Sequence, residues 1–361
     1  MARLIDIEGI APARTLRSAD DLVEAGLVAS DDVAALARVT AVYATAITPA
    51  LAALIYNADP NDPIARQFVP NAAELDIRPE ELSDPIGDKT HEPVEGIVHR
   101  YPDRVLLKAV SVCPVYCRFC FRREMVGPDK DGNLSPAELE AALAYIRRHP
   151  EIWEVILTGG DPFMLSARRA AALTRELEAI PHVKVFRWHT RMPVADPERV
   201  SNEFVEAIRS KSKAVYVAIH CNHPRELTPL ARAACARLAD AGIPLLSQSV
   251  LLKGVNDNID TLTDLMRAFI ENRIKPYYLH HADLASGTSH FRTTVEQGQD
   301  LVRQLRDRIS GLAQPTYVID IPGGVSKAVA SSADVETEDG RLRLRGRDGN
   351  WRDYEESCDL K

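Results

Sequence analysis

The sequence predicts an α/β protein: a partial parallel (β/α)6 barrel behind an N-terminal helical region and ahead of a short polar tail. Three observations predict it. From residue 104, short β-branched runs alternate six times with amphipathic stretches of helical spacing, and a parallel strand returns to its sheet only through such a crossover. The conspicuous polar residues fall at the carboxyl ends of those runs, the edge where α/β barrels and open sheets carry ligands. The 361 residues are 45% hydrophobic and 27% charged, enough for one large core of ordinary globular composition.

Residues 1–95 read as helical and loosely punctuated. Ser30-Asp31-Asp32 can cap a helix over 33–43, whose Ala and Val positions recur at helical spacing. A polar, Pro-rich stretch covers 57–93. The barrel region, 96–330, has strands at 104–110, 154–157, 183–188, 214–219, 244–249 and 275–279. The helices between and after them fall at 136–148, 167–180, 199–210, 229–241, 259–272 and 295–309. A seventh apolar run, 316–321, follows the last helix. Thr158-Gly159-Gly160-Asp161, His189, His220, Gln248 and Asp283 stand at the strand ends. Residues 331–361 are charged and polar and read as a tail.

A net charge of −8 argues against nucleic acid as a partner, because phosphate binding draws on basic surface. No charged start followed by an apolar run opens the chain, and no apolar run nears the roughly 18 residues of a membrane span. A cytoplasmic protein without a membrane partner is expected.

Six cysteines stand at 113, 117, 120, 221, 235 and 358. Three lie within eight residues and the rest are scattered, which is no disulfide framework. The three in Cys113-Pro-Val-Tyr-Cys117-Arg-Phe-Cys120 follow the first strand. Three thiolates from one loop can ligate three irons of a cubane and leave the fourth open, whereas four complete an electron-transfer cluster. Zinc would want a second Cys or His pair, and none is evident. Three structural thiols is the bland alternative.

Near the end of the barrel region, Asp320-Ile-Pro-Gly323-Gly324-Val-Ser-Lys327 sets a lysine after a flexible turn. Such a lysine can form a Schiff base with an aldehyde cofactor, though for the motif taken alone a solvated loop lysine is the more common outcome. The Cys-x3-Cys-x2-Cys loop resembles the signature of the radical S-adenosylmethionine (SAM) superfamily. Arg100-Tyr101-Pro102-Asp103-Arg104, the cysteine loop with Arg122-Arg123, Asn222-His223-Pro224, the stretch from Gln248 to Asp257, Pro276-Tyr277-Tyr278-Leu279, Gly287 to Thr293 and the Lys327 turn occur in one order. That order resembles the lysine 2,3-aminomutase family over roughly residues 95–330.

The resemblance implies a [4Fe–4S] cluster on Cys113, Cys117 and Cys120, with SAM chelated at the open iron. Gly159, Gly160 and Asp161 resemble the superfamily's turn beside the SAM methionine, and His220 and Gln248 match positions near SAM. Lys327 would be the lysine that holds pyridoxal phosphate, with Arg100 and Arg104 on its phosphate. Arg122 would grip the substrate carboxylate, and Asp283 with Asp320 the distal ammonium of lysine. The implied activity is a 2,3-aminomutase making β-lysine from L-lysine. The alternatives are the same chemistry on arginine or glutamate, or a role in β-lysylation of elongation factor P. A non-catalytic iron–sulfur scaffold or redox sensor is the alternative of another class. A flavodoxin- or ferredoxin-type electron donor and a homo-oligomer are implied as well.

Two departures stand out. Long family members hold zinc through one internal and three C-terminal cysteines, where this chain has Asn258 and the lone tail cysteine Cys358. No zinc site is therefore expected, and Cys221 and Cys235 read as buried small residues. His280 replaces the expected tyrosine beside the substrate pocket, as in the short relatives that modify elongation factor P. Those lack an aspartate at the position of Asp320.

Overall fold

A computed structural model describes residues 12–56, 59, 61–128, 132–331, 335–338, 341–346 and 349–354. Its main sheet has nine strands in chain order: β1 Ile97–Tyr101, β2 Arg104–Val110, β3 Glu154–Gly159, β4 Val185–Thr190, β5 Ala214–His220, β6 Leu245–Leu251, β7 Ile274–His281, β8 Thr316–Asp320 and β9 Lys327–Val329. Strands β2 to β8 are all parallel. The six expected strands and the seventh run are thus one continuous parallel array. The Arg100–Arg104 stretch, expected merely to precede the first strand, is instead the end of β1 and its tight turn into β2. At the other edge β9 folds back on β8, pairing Lys327 with Asp320. Strands β1 and β9 do not pair, so the barrel is partial, but the Lys327 N–H donates to the Tyr101 hydroxyl at 3.1 Å.

Alternation along the strands sorts the two faces. Val105, Leu107, Val155, Leu157, Phe186, Trp188, Val217 and Ile219 join the core beneath the helices. The intervening positions carry Arg104, Glu154, Arg187, His189, His220, Gln248, His280 and Asp320, a polar inner face. Helices cover the outer face because their apolar positions recur at 3, 4 and 7. In Ile259–Glu271, Leu262, Leu265, Met266 and Phe269 are wholly buried, each such burial contributing about 2 kcal/mol. Ser135, Ser166, Ser201, Thr228, Asn258 and Thr294 each cap the helix that follows, accepting a backbone N–H.

Three local expectations change. The helix expected over 199–210 is Asn202–Ile208, because Pro197–Arg199 forms a separate 3-10 turn and Ser201 makes the cap. Ser30–Asp32 is likewise a 3-10 turn, and the helix Val33–Val42 begins without a side-chain cap. The stretch over 57–93 contains a helix, Pro63–Phe68, capped by Asp62. Beyond the barrel, where a polar tail is expected, β10 Val335–Glu338, β11 Arg341–Arg345 and β12 Trp351–Tyr354 form an antiparallel sheet. Its signal was the alternation of Leu342 and Leu344 with arginines. Cys358 lies outside the described residues.

Candidate active site

The cysteine loop leaves β2 at the carboxyl edge of the sheet and is held from behind by the N-terminal region. Arg118, 2% exposed, forks onto the fully buried Glu74 at 3.0 Å (Nε to Oε1) and 2.5 Å (Nη2 to Oε2). Arg123 pairs with the same carboxylate and lies 3.5 Å over the Tyr43 ring. These bonds consume both guanidiniums structurally and fix the loop. Cys113, Cys117 and Cys120 are partly buried and free. Burial pushes all three thiols up, Cys117 to about 11, so a metal must draw out the thiolates. Among the described residues no three ligands converge on a single ion. A cubane does not ask for that, because each cysteine takes a different iron.

The Gly159-Gly160 turn closes β3 against this loop. Gly159 has φ +103°, and a Cβ on Gly160 would run into the backbone of Val112, so both glycines are demanded by close approach. Asp161 is held within the fold beside Cys113. Its carboxylate accepts from the Thr190 hydroxyl at 2.7 Å and from the Arg191 and Phe163 amides at 2.8 and 2.9 Å. It ties the turn to β4. On the inner face, Nε2 of His189, Nε2 of His220 and Oε1 of Gln248 are buried without a hydrogen-bond partner. Burial pushes His220 down to about 3, so it stays neutral. Buried polar atoms left open at a strand edge fit a polar ligand lying across them.

A chain of contacts crosses from β6 to β9. Gln248 Nε2 stands 3.1 Å from Nε2 of His280, and Nδ1 of His280 stands 3.2 Å from Asp320 Oδ2. Burial lowers His280 as well, so a neutral ring accepting from Gln248 donates its Nδ1–H to Asp320. Lys327 Nζ donates to both oxygens of Asp320 at 2.6 Å. Burial opposes the charge on Asp320, yet the His280 hydrogen bond and Lys327 hold it well below the usual carboxylate range. Asp283 behaves oppositely. Burial and the charge of Asp320 push it up to about 7, while Lys327, Arg122 and Arg100 pull the other way.

Two of the three expected arginines, Arg100 and Arg122, join this group. Arg100 donates from Nη2 to Asp88 Oδ1 at 2.7 Å, and Arg122 from Nε to Asp88 Oδ2 at 2.7 Å and from Nη1 to Thr158 at 3.2 Å. Arg104 pairs with Asp103 and lies 3.7 Å over the Tyr101 ring, whose hydroxyl meets the Lys327 amide. The structure therefore gathers Lys327, Asp320, Asp283, Arg100 and Arg122 in one place. His220 and Gln248 stand beside them in register on β5 and β6. Asp161 spends its carboxylate on Thr190 and on the Arg191 and Phe163 amides. Sequence reasoning missed Asp88 and Glu74, which sit in segments read as connectors; only their folded contacts reveal them. Asn258, at the family's zinc position, caps a helix through its bond from the Thr261 amide at 2.8 Å. Cys221 and Cys235 are fully buried.

Open cysteines at the mouth of a parallel sheet, a glycine turn beside them and unpartnered polar atoms within fit the radical SAM enzyme that the cysteine loop resembles. The family profile described as the radical SAM superfamily matches residues 108–266. Among curated proteins, the L-lysine 2,3-aminomutase of Clostridium subterminale is 39% identical over 312 residues, covering 86% of this chain and 74% of that protein. The L-lysine 2,3-aminomutase of Escherichia coli is 37% identical over 269 residues, 74% of this chain and 78% of that one. The glutamate 2,3-aminomutase of Clostridioides difficile is 38% identical over 282 residues, 78% and 66%. The chain belongs to the lysine 2,3-aminomutase family, a family of isomerases that work through a [4Fe–4S] cluster and SAM.

Proposed function

We propose that this chain is a pyridoxal phosphate-dependent 2,3-aminomutase of the cytoplasm that converts L-lysine to β-lysine. The observation that carries the proposal is the pairing of Lys327 with Asp320 beside a second, half-buried acid, Asp283, and two arginines. In this reading Cys113, Cys117 and Cys120 hold the cluster, and the Gly159-Gly160 backbone, His220 and Gln248 receive SAM. Lys327, Arg100 and Arg104 hold pyridoxal phosphate, whose phosphate suits planar multi-donor cations. The stem of Arg100 lies against the glycine turn that carries Lys327, since a Cβ on Gly324 would come within 3.0 Å of its Cδ. Bound there, the cluster with SAM supplies a hydrogen-abstracting radical, and pyridoxal phosphate supplies the π-system through which the nitrogen migrates.

The protein's own contribution is orientation. Arg122 takes the α-carboxylate, and Asp283 with Asp320 takes the distal ammonium, so the amino acid is stretched between fixed ends with its β-carbon presented one way. His280 holds Asp320 in its rotamer. Asp161, held by Thr190 and the Arg191 amide, fixes the glycine turn. Two acids at the distal end repel a distal carboxylate, which disfavours glutamate. A flavodoxin- or ferredoxin-type donor supplies the electron a low-potential cluster needs, and a homo-oligomer is the expected assembly.

The test is direct. Reconstitute the protein anaerobically with iron, sulfide, pyridoxal phosphate, SAM and a reductant, then offer lysine, arginine, glutamate and norleucine. Mass spectrometry should find β-lysine as the main product. A β-amino acid only from glutamate would overturn the substrate, and no β-amino acid from any would overturn the activity.

A further inference from the structure

Arg100 and Arg122 are assigned above to two different ligands, a phosphate and a carboxylate, yet one side chain holds both. Asp88 is wholly buried, and its two oxygens are divided between them, Oδ1 to Arg100 and Oδ2 to Arg122, each at 2.7 Å. A guanidinium carries five N–H donors in a rigid fork. Each arginine spends one edge on Asp88. Arg122 also donates from Nη1 to Thr158, and among the described residues Nη1 of Arg100 and Nη2 of Arg122 make no hydrogen bond, which leaves each guanidinium a terminal nitrogen for a ligand oxygen.

Asp88 is itself built in. Its amide donates to Asp84 Oδ1 and the Lys89 amide to Asp84 Oδ2, both at 2.9 Å. Gly87, at φ +65°, packs so closely on Gly323 that a Cβ would strike its carbonyl, and the Gly323 amide donates to Pro85 at 3.0 Å. The 84–88 turn therefore touches the base of the Lys327 turn on one side and both arginines on the other.

We propose that Asp88 is a positioning residue that sets the spacing between the phosphate-binding Arg100 and the carboxylate-binding Arg122. This rests on the assignments under the proposed function. An asparagine has one oxygen in place of two. It can keep one arginine, while its NH2 group sets a donor against the donor of the other.

The experiment uses full-length Asp88→Asn, with cluster and without pyridoxal phosphate, titrated with pyridoxal phosphate and with pyridoxal, and followed by visible absorbance. Affinity for pyridoxal phosphate should fall about tenfold or more, while affinity for pyridoxal changes less than about twofold. In turnover, KM for lysine should rise about tenfold, and inhibition by the carboxylate-free diamine cadaverine should not change. Asp88→Glu, which keeps both oxygens on a longer stem, should recover part of each loss. Equal losses for both aldehydes, or no loss for either, would make Asp88 a residue of the fold and overturn the proposal. If the unsubstituted protein binds both aldehydes equally, the role given to Arg100 fails first. Iron content and the thermal midpoint report folding, and Asp88→Glu carries the test should Asp88→Asn not fold.

Discussion

Replacing Asp283 with asparagine should make the ligand-free protein more stable and the enzyme worse, and both effects have one cause. Burial and the neighbouring Asp320 push the Asp283 carboxyl up to about 7. An acid whose ordinary value is about 3.9 then binds its proton more tightly in the folded chain than in the unfolded one. Ionising it works against folding: the penalty is absent below about pH 4, grows through the interval and is complete above about pH 7. A sealed site would lose roughly 4 kcal/mol; the partial accessibility of this side chain brings the expectation to about 2 kcal/mol. Asp283→Asn should therefore be about 2 kcal/mol more stable at pH 8, its advantage vanishing as pH falls toward 4. Urea unfolding of pyridoxal-free protein at a series of pH values measures this. With substrate present, asparagine cannot neutralise the ammonium, and KM for lysine at pH 8 should rise about a hundredfold. The unsubstituted enzyme should itself lose affinity as pH drops below 7. A variant less stable at pH 8, or an advantage that does not change with pH, would refute the reasoning.

Alanine at Cys113, Cys117 or Cys120 should abolish iron binding and SAM cleavage, whereas alanine at Cys221 or Cys235 should spare both; iron analysis and 5′-deoxyadenosine release decide it. Lys327→Ala should lose the visible band of bound pyridoxal phosphate and any borohydride-reducible linkage while keeping the iron–sulfur spectrum. Glu74→Ala leaves Arg118 and Arg123 buried without their common partner, and chemical unfolding should show a loss of about 3–5 kcal/mol.

The parallel array was legible because its strands and helices carry two incompatible periods, and nothing nonlocal is needed to tell period 2 from 3.6. The cysteine loop and the Lys327 turn were legible as motifs because they are contiguous. What escaped depends on distance in the chain. Strand β1 was missed because His99-Arg100-Tyr101 is polar, and only pairing with β2 makes it a strand. Asp88 and Glu74 escaped because a carboxylate in a Pro-rich connector looks solvated until arginines from 12 to 49 residues away close on it. The bond from Thr190 to Asp161 escaped for a related reason: the two residues lie 29 apart in the chain.

Charge decides what the inner face will accept. Arg100 and Arg122 share one carboxylate, Asp88, so the pair retains one positive charge toward its ligands. At the opposite end Asp320 is already matched by Lys327 at 2.6 Å. Among the described residues Asp283 makes no ion pair, and burial with the charge of Asp320 raises its proton affinity despite Lys327, Arg122 and Arg100. A side chain bringing a positive charge lets Asp283 ionise and complete the balance. A neutral side chain leaves Asp283 protonated and gains nothing from it, and an anionic one adds repulsion from Asp320. In the proposed reading Asp283 is therefore the selector for cationic amino acids, while Asp320 is shared between substrate and Lys327.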